Sequence, residues 1–265
     1  MTLPTLFIAH GSPTLAVEDN EYTAFLRELG TRMPLPKGIA VFSAHFDEPV
    51  QTVSMDEHHS TMHDFYGFPS EMYELEYPAQ GDPELSGRIC EIFKEANLPV
   101  KQLKDRGLDH GVWVILRHMF PEANIPVVAL SVDSQRSGEE QYQIGRMLVP
   151  LRDEGILIIG SGGLVHNLRK LSQQDEPEAW AVEFDEWVAE RLKNWNLREL
   201  FAYEKKAPYA QDAVPSYASE HFAPLFYAMG AADADKKAER KFQTYQYGSL
   251  SLNCWQFGTP QVLLL

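Results

Sequence analysis

Three of the nine histidines in this chain follow apolar stretches that have the composition of buried β-strands. They are His10 after residues 6–9, His45 after residues 39–43 in "AVFSAHF", and His166 after residues 156–159 in "ILIIGSGGLVHNL". Imidazole is the commonest metal ligand in proteins, and it also exchanges protons near neutral pH. Three such side chains at the ends of strands therefore indicate a metal site or an acid–base site.

Five of the other six histidines fall into two groups by their surroundings. His110 in "GLDHGVWVIL" and His221 in "ASEHFAPLFY" each come before an apolar stretch that favours a helix, so we expect both near helix starts that face a cleft. His58, His59 and His63 lie in "DEHHSTMHDFYGFP", which has no strand pattern. That stretch is typical of an exposed loop or of a lid over a substrate.

Strands and helices alternate along the sequence. Apolar runs predict strands at residues 6–9, 39–43, 127–132 and 156–159, and "YGSLSLNCW" predicts a last one. Amphipathic patterns predict helices at residues 21–29, 83–96, 139–152 and 178–195, of which the second follows Asp82 and the third follows Ser137. This order predicts a single three-layer α/β domain over residues 1–265, with a central mainly parallel or mixed sheet flanked by helices. The carboxyl ends of its strands would bring His10, His45 and His166 to one crevice.

The composition limits the partners that this chain can have. A net charge of −15 disfavours nucleic acid and membrane surfaces, because both attract basic proteins. Two distant cysteines without CxxC spacing indicate neither a disulfide framework nor a thiolate metal site. We therefore expect a cytoplasmic protein, a monomer or small homo-oligomer, that acts on a small molecule.

Several familiar catalytic motifs are absent from the sequence. Ser12 and Ser161 do not lie in a GxSxG elbow, and the glycines of "GSGG" have neither dinucleotide-binding nor P-loop spacing. There is no HExxH zinc motif either. An all-nitrogen site assembled from separate strand ends remains, and such a site suits Zn(II) or Fe(II) better than Ca(II) or Mg(II).

Six short motifs occur in a fixed order over most of the chain. They are "HGSP", "SAHF", "HDFYGFP", "DHGVW", "GSGGLVHNL" and "EHFAPLFYAMGA". Together they resemble the class III extradiol ring-cleavage dioxygenases, and within that class the 4,5-DOPA extradiol dioxygenase-like subgroup. The resemblance extends from about Leu6 to the final "YGSLSL" segment.

The resemblance implies a role for most of the histidines. His10, His45 and His221 would be metal ligands, and His166 would be the catalytic acid–base group or a fourth ligand. His110 would donate a hydrogen bond to the reacting oxygens. Four further residues would line the pocket for the aromatic ring: His63, Phe65, Tyr66 and Phe68.

The same resemblance implies the reaction and its cofactor. One Fe(II) would be needed for activity, with Zn(II) as an alternative occupant of the site. The substrates would be O2 and a small catechol similar to DOPA, and the product a ring-opened semialdehyde. The broader class uses two histidines and a glutamate, whereas this sequence has His221 at the third position with Glu220 beside it.

Two other functions are compatible with the residues alone. Some metal chelatases also have an HGS turn after the first strand of an α/β domain, which accounts for His10 but not for His45 and His221. A zinc-binding protein without catalytic activity is the second alternative.

Overall fold

The computed structural model describes residues 2–172 and 176–259. Within these residues the strands are β1 (Thr5–Ala9), β2 (Gly38–Asp47), β3 (Gln51–Ser54), β4 (Val100–Leu103), β5 (Val127–Val132), β6 (Ile156–Gly162), β7 (Ala238–Gln246) and β8 (Leu250–Phe257). They form one sheet in the order β4-β3-β5-β2-β6-β1-β8-β7. The four central strands β5, β2, β6 and β1 are parallel, while β8 runs antiparallel to β1 and β3 antiparallel to β5.

Helices cover both faces of this sheet. They are α1 (Glu21–Arg32), α2 (Pro83–Glu95), α3 (His110–Met119), α4 (Gly138–Met147), α5 (Val149–Asp153), α6 (Ala179–Lys193), α7 (Leu197–Leu200), α8 (Tyr203–Lys206), α9 (Ala210–Ala213) and α10 (Ala223–Gly230). In β1, Leu6 and Ile8 pack with residues of α1 and α3, whereas Phe7 packs with residues of α6 and α10. Because alternate side chains of one strand are buried on opposite faces, the sheet is the middle of three layers. The predicted α/β architecture is confirmed.

The predicted strands correspond to β1, β2, β5, β6 and β8, with one difference that affects the site. Strand β2 continues to Asp47, with a change in its register against β5 after Ser43. His45 therefore lies within β2, in the irregular stretch between Ser43 and Asp47, and not beyond the end of the strand. Strands β3, β4 and β7 were not predicted. The first two have only four residues each and no long apolar run, and β7 is a polar strand without fully buried residues.

The helix predicted over residues 139–152 is two helices in the structure. Helix α4 ends at Met147, and α5 begins at Val149 with Pro150 in its first turn. Proline has no backbone N–H to continue the helical hydrogen bonds, so the chain breaks there. The predicted caps are correct, since Asp82 accepts a hydrogen bond from the N–H of Leu85 and Ser137 from that of Glu140.

None of the helices in residues 2–172 and 176–259 has the length and apolar character needed to cross a bilayer.

A buried acid joins helix α6 to the sheet edge formed by β7 and β8. Asp185 is 1% exposed, and its Oδ2 accepts hydrogen bonds from the Tyr245 hydroxyl (2.8 Å), the Asn253 amide (3.1 Å) and the Gln243 amide (3.2 Å). Its Oδ1 has no partner among the residues described. Burial raises the pKa of Asp185 to about 6, although the three donors lower it. The native state therefore binds a proton here more tightly than the unfolded chain does.

The Asp185→Asn variant tests this consequence for stability. Because the folded pKa lies above the unfolded value, the free energy of unfolding falls as pH rises from about 4 to about 6. Asparagine resembles the protonated acid and does not titrate. We expect the variant to gain stability relative to the native chain by about 1.5 kcal/mol between pH 5 and pH 8. Urea unfolding of both proteins at the two pH values measures this difference; a constant difference would contradict the shifted pKa.

Candidate metal and active site

Three histidine side chains from distant parts of the chain meet at the carboxyl ends of the central strands. His10 directly follows β1, His45 is near the end of β2, and His221 ends the short 3-10 helix Ser219–His221 that leads into α10. The Nε2 atoms of His45 and His10 are 3.1 Å apart, and those of His221 and His45 are 3.3 Å apart. The structure thus brings His10 and His45, which the strand pattern predicted to share one crevice, together with His221, which the resemblance placed among the metal ligands.

Glycines allow the backbone segments that carry these histidines to approach closely. Gly11, after His10, has φ +62°, which turns the chain away from the strand and which other residues rarely adopt. A Cβ on Gly162 would lie 2.1 Å from the carbonyl oxygen of His221. That same oxygen accepts a hydrogen bond from the N–H of Gly163 (2.8 Å). The glycines of "GSGG" thus bring β6 against the segment that carries His221.

The opposite ring nitrogen of His10 is held by a hydroxyl. The Oγ of Ser161 donates to the carbonyl oxygen of Gly111 and lies 3.0 Å from the Nδ1 of His10. Because the single hydroxyl proton is used on Gly111, the serine oxygen acts as acceptor toward His10. The proton of this imidazole is therefore on Nδ1, and the lone pair on Nε2 points toward the other two histidines.

Carboxylates hold the other two imidazoles in the same way. The Nδ1 of His221 is 3.0 Å from Glu220 Oε1, and the Nδ1 of His45 is 3.4 Å from Asp64 Oδ2. A carboxylate on Nδ1 fixes the proton there and leaves Nε2 as a donor of electrons. Glu220, the alternative to His221 suggested by the broader class, thus lies behind that histidine instead of among the converging nitrogens.

The three imidazoles are uncharged, so their converging nitrogen atoms can bind a metal ion. Burial, together with neighbouring histidines, lowers the pKa of His10 and of His221 well below the usual value and that of His45 to about 4. Three neutral rings with protonated Nδ1 atoms direct three Nε2 lone pairs at one point. These lone pairs repel one another unless a cation lies between them. Neutral nitrogen donors suit Fe(II) or Zn(II).

His166 lies beside this cluster and is not part of it. Its ring is stacked on that of His221, with centroids 3.5 Å apart and planes 5° apart. Among the described residues, two groups have possible ligand atoms that all lie within 4.8 Å of one another: His10, His45 and His221, and His45, Asp64 and His110. His166 belongs to neither group. Burial, and to a smaller extent His45 and His110, lower the pKa of His166 to about 3. The ring of His166 therefore contacts that of His221 without joining the three converging Nε2 atoms.

His110 begins helix α3 and shares a carboxylate with His45. Its Nδ1 lies 3.0 Å from Asp64 Oδ1, which also accepts its backbone N–H (2.9 Å). The rings of His110 and His45 have centroids 4.1 Å apart. Burial acts to raise the pKa of Asp64, but the hydrogen bonds and charge of His110 outweigh it and lower that pKa to about 2. Asp64 was not singled out from the sequence, although it lies in the motif "HDFYGFP".

A cavity of about 760 Å³ opens beside the histidines. Of the residues predicted to line it, Phe65, Tyr66 and Phe68 do so, but His63 does not. The Nε2 of His63 is instead 3.0 Å from the carbonyl oxygen of Leu75, and its ring packs edge-on against Phe65. The remaining wall was not predicted; it includes Ser12, Pro13, Leu168, Arg169, Leu171, Tyr217, Tyr247 and Leu250.

The chain matches a known protein family over most of its length. A family model described as the catalytic LigB subunit of aromatic ring-opening dioxygenase matches residues 4–254. The chain belongs to this LigB family. The family assignment confirms the resemblance to extradiol ring-cleavage dioxygenases, and it identifies the chain as an enzyme of that kind.

Individual LigB relatives match over nearly the whole chain. A protein named 4,5-DOPA dioxygenase extradiol from Beta vulgaris is 40% identical over 262 residues, which are 96% of each chain. One of the same name from Escherichia coli (strain K12) is 38% identical over 259 residues, covering 97% of this chain and 95% of the other. The solved structure of an uncharacterized protein from Escherichia coli K12 superposes with a TM-score of 0.80 at 34% identity and covers 97% of this chain and 100% of that one.

The first test of the LigB site is its metal affinity. We expect alanine in place of His10, His45 or His221 to weaken Fe(II) and Zn(II) binding by more than about 100-fold, because each removes one ligand. Ser161→Ala removes only the partner of His10 and should cost about 10-fold. Competition with a chromophoric chelator measures the affinities, and His58→Ala, at an exposed position, is the control. Unchanged affinity in the three ligand variants would refute the assignment.

Proposed function

We propose that the chain is a non-haem, Fe(II)-dependent extradiol dioxygenase that opens the ring of a DOPA-like catechol with O2. Both oxygen atoms enter the product, a ring-opened semialdehyde, as the carbon–carbon bond next to the diol breaks. The observation that carries the proposal is the convergence of three neutral Nε2 atoms beside an aromatic-walled cavity. Membership of the LigB family and the names of the relatives from Beta vulgaris and Escherichia coli support it.

His10, His45 and His221 are the proposed metal ligands. When bound, Fe(II) supplies the centre at which both catechol oxygens and O2 exchange electrons. The chain contributes no charged ligand in this set, so the full +2 charge remains to attract an anionic catecholate. Zn(II) would occupy the same nitrogens without redox chemistry, which is why activity is assigned to iron.

His166 is the proposed acid–base catalyst. It is neutral, lies against His221, and its buried Nδ1 has no hydrogen-bond partner in the described part of the chain. Such an imidazole can take the proton of a catechol hydroxyl as the substrate binds and return it when the ring opens. His110 has its Nδ1 committed to Asp64, so its other nitrogen is free to make a hydrogen bond to a reacting oxygen.

The aromatic wall of the cavity orients the catechol ring. Phe65 and Phe68 pack edge to face with centroids 5.2 Å apart, and Tyr66 is 92% exposed at the cavity mouth. A flat ring held by these side chains would keep its two hydroxyls directed at the histidines and would exclude water from them.

The proposal also covers the domain, location, assembly and partners of the protein. One catalytic domain spans residues 1–265 and acts in the cytoplasm as a monomer or small homo-oligomer. Its partners are the catechol and O2, with no nucleic acid or membrane. A metal chelatase and a non-catalytic zinc binder are the other outcomes of a direct assay, in which anaerobically Fe(II)-loaded protein receives O2 and a panel of catechols. A yellow ring-opened product distinguishes the dioxygenase from both.

The His166→Ala variant tests the acid–base assignment. We expect ring opening in the iron-loaded variant to fall by at least about 100-fold, because proton transfer by a positioned side chain contributes that much or more. Its iron content should stay close to one per chain, as the three proposed ligands are intact. Product absorbance and metal analysis of the same samples measure the two effects. Full activity would contradict the role, and loss of iron would show that His166 is a ligand.

A further inference from the structure

Arg169 is the single arginine or lysine among the described residues that line the site cavity. It lies on the short 3-10 helix Leu168–Lys170, three residues after His166, and its side chain is exposed to the cavity mouth. Within residues 2–172 and 176–259 no carboxylate forms an ion pair with its guanidinium. Lys170 differs in this respect, because its Nζ is paired with Asp212 (2.6 Å).

The guanidinium of Arg169 is held in place by an aromatic ring. Its Cζ lies 4.0 Å from the centroid of Tyr217, which also lines the cavity. Stacking on a ring face leaves the N–H groups at the edge of the guanidinium free to form two parallel hydrogen bonds. The ring of Tyr217 therefore orients the positive charge, and no carboxylate of the described residues neutralises it.

A buried amide fixes both members of this stack. The Oδ1 of Asn167 accepts hydrogen bonds from the Tyr217 hydroxyl (2.9 Å) and from the backbone N–H of Arg169 (3.1 Å). Its Nδ2 donates to the carbonyl oxygen of Asp212 (2.8 Å), and the residue is 5% exposed. A pair arranged in this way before a ligand arrives loses little conformational freedom on binding.

The carboxylates that line the cavity, unlike the guanidinium of Arg169, are already paired with histidines. Asp64 accepts hydrogen bonds from His110 and contacts His45, and Glu220 is paired with His221. A positively charged group on a substrate therefore finds no uncommitted acid among the described lining residues. A negatively charged group finds the edge of Arg169.

We propose that Arg169, oriented by Tyr217, binds the carboxylate of the substrate side chain and makes the enzyme selective for catechols that carry an acid group. This inference rests on the proposed ring-cleavage function. The reacting diol would lie at the histidines, and the acid at the far end of the substrate would meet the guanidinium. Neutral catechols and catecholamines would lack this contact.

The test compares two catechols of similar size in the Fe(II)-loaded protein without oxygen. Calorimetric titration gives the dissociation constants of 3-(3,4-dihydroxyphenyl)propionate and of neutral 4-propylcatechol. We expect Arg169→Gln to weaken binding of the acid by about 10- to 100-fold and to leave that of 4-propylcatechol within about twofold. Arg169→Lys, which keeps the charge but not the planar fork, should give an intermediate loss for the acid.

Lys170→Gln is the matched control, because it removes the neighbouring charge outside the cavity and should change neither constant. Equal losses for both catechols in Arg169→Gln, or no loss for the acid, would overturn the inference. Admission of O2 then tests the proposed function separately. Selective binding of the acid without any ring-opened product would refute the dioxygenase activity while the role of Arg169 stands.

Discussion

The repulsion between three converging nitrogen lone pairs is the constraint on which the site depends. His10, His45 and His221 are neutral because burial disfavours their charged forms. Each has its Nδ1 beside an acceptor, so each directs an unprotonated Nε2 at the other two. A protein keeps such an arrangement only when its fold holds the rings rigidly and a cation shares the lone pairs. The surrounding structure supplies the rigidity.

The order of the strands explains how this rigidity arises. The strands β2, β6 and β1 are neighbours and run in parallel, so their carboxyl ends deliver His45, the serine of "GSGG" and His10 to adjacent positions. His221 comes from the helical layer, and Gly162 permits the contact between that layer and β6. The antiparallel strand β8 extends the cavity wall through Leu250, and the turn that joins β7 to β8 extends it through Tyr247.

The parts of this site that the sequence predicts are those carried by long apolar elements. His10 and His166 were located because four-residue or longer apolar runs mark buried strands, and the crevice rule then brings their ends together. Phe65 and His63 lie in a loop without periodicity, where nothing in the sequence tells which side chain faces the cavity. In the structure Phe65 faces it, and His63 packs behind Phe65. Asp64 was missed for the same reason, since its partners are distant in sequence.

The negative charges beside the three histidines lie behind the imidazole rings. The chain carries a net charge of −15, yet the two acids nearest the triad contact Nδ1 atoms and leave the Nε2 side uncharged. Asp64 and Glu220 thus lie against Nδ1 atoms of His45 and His221 and stay apart from the three converging Nε2 atoms, which are the proposed metal ligands. An acid among those atoms would cancel part of the ion's charge and weaken its attraction for a catecholate. Arg169 adds an uncommitted positive charge across the same cavity, so both ends of the site favour an anion within an otherwise acidic protein.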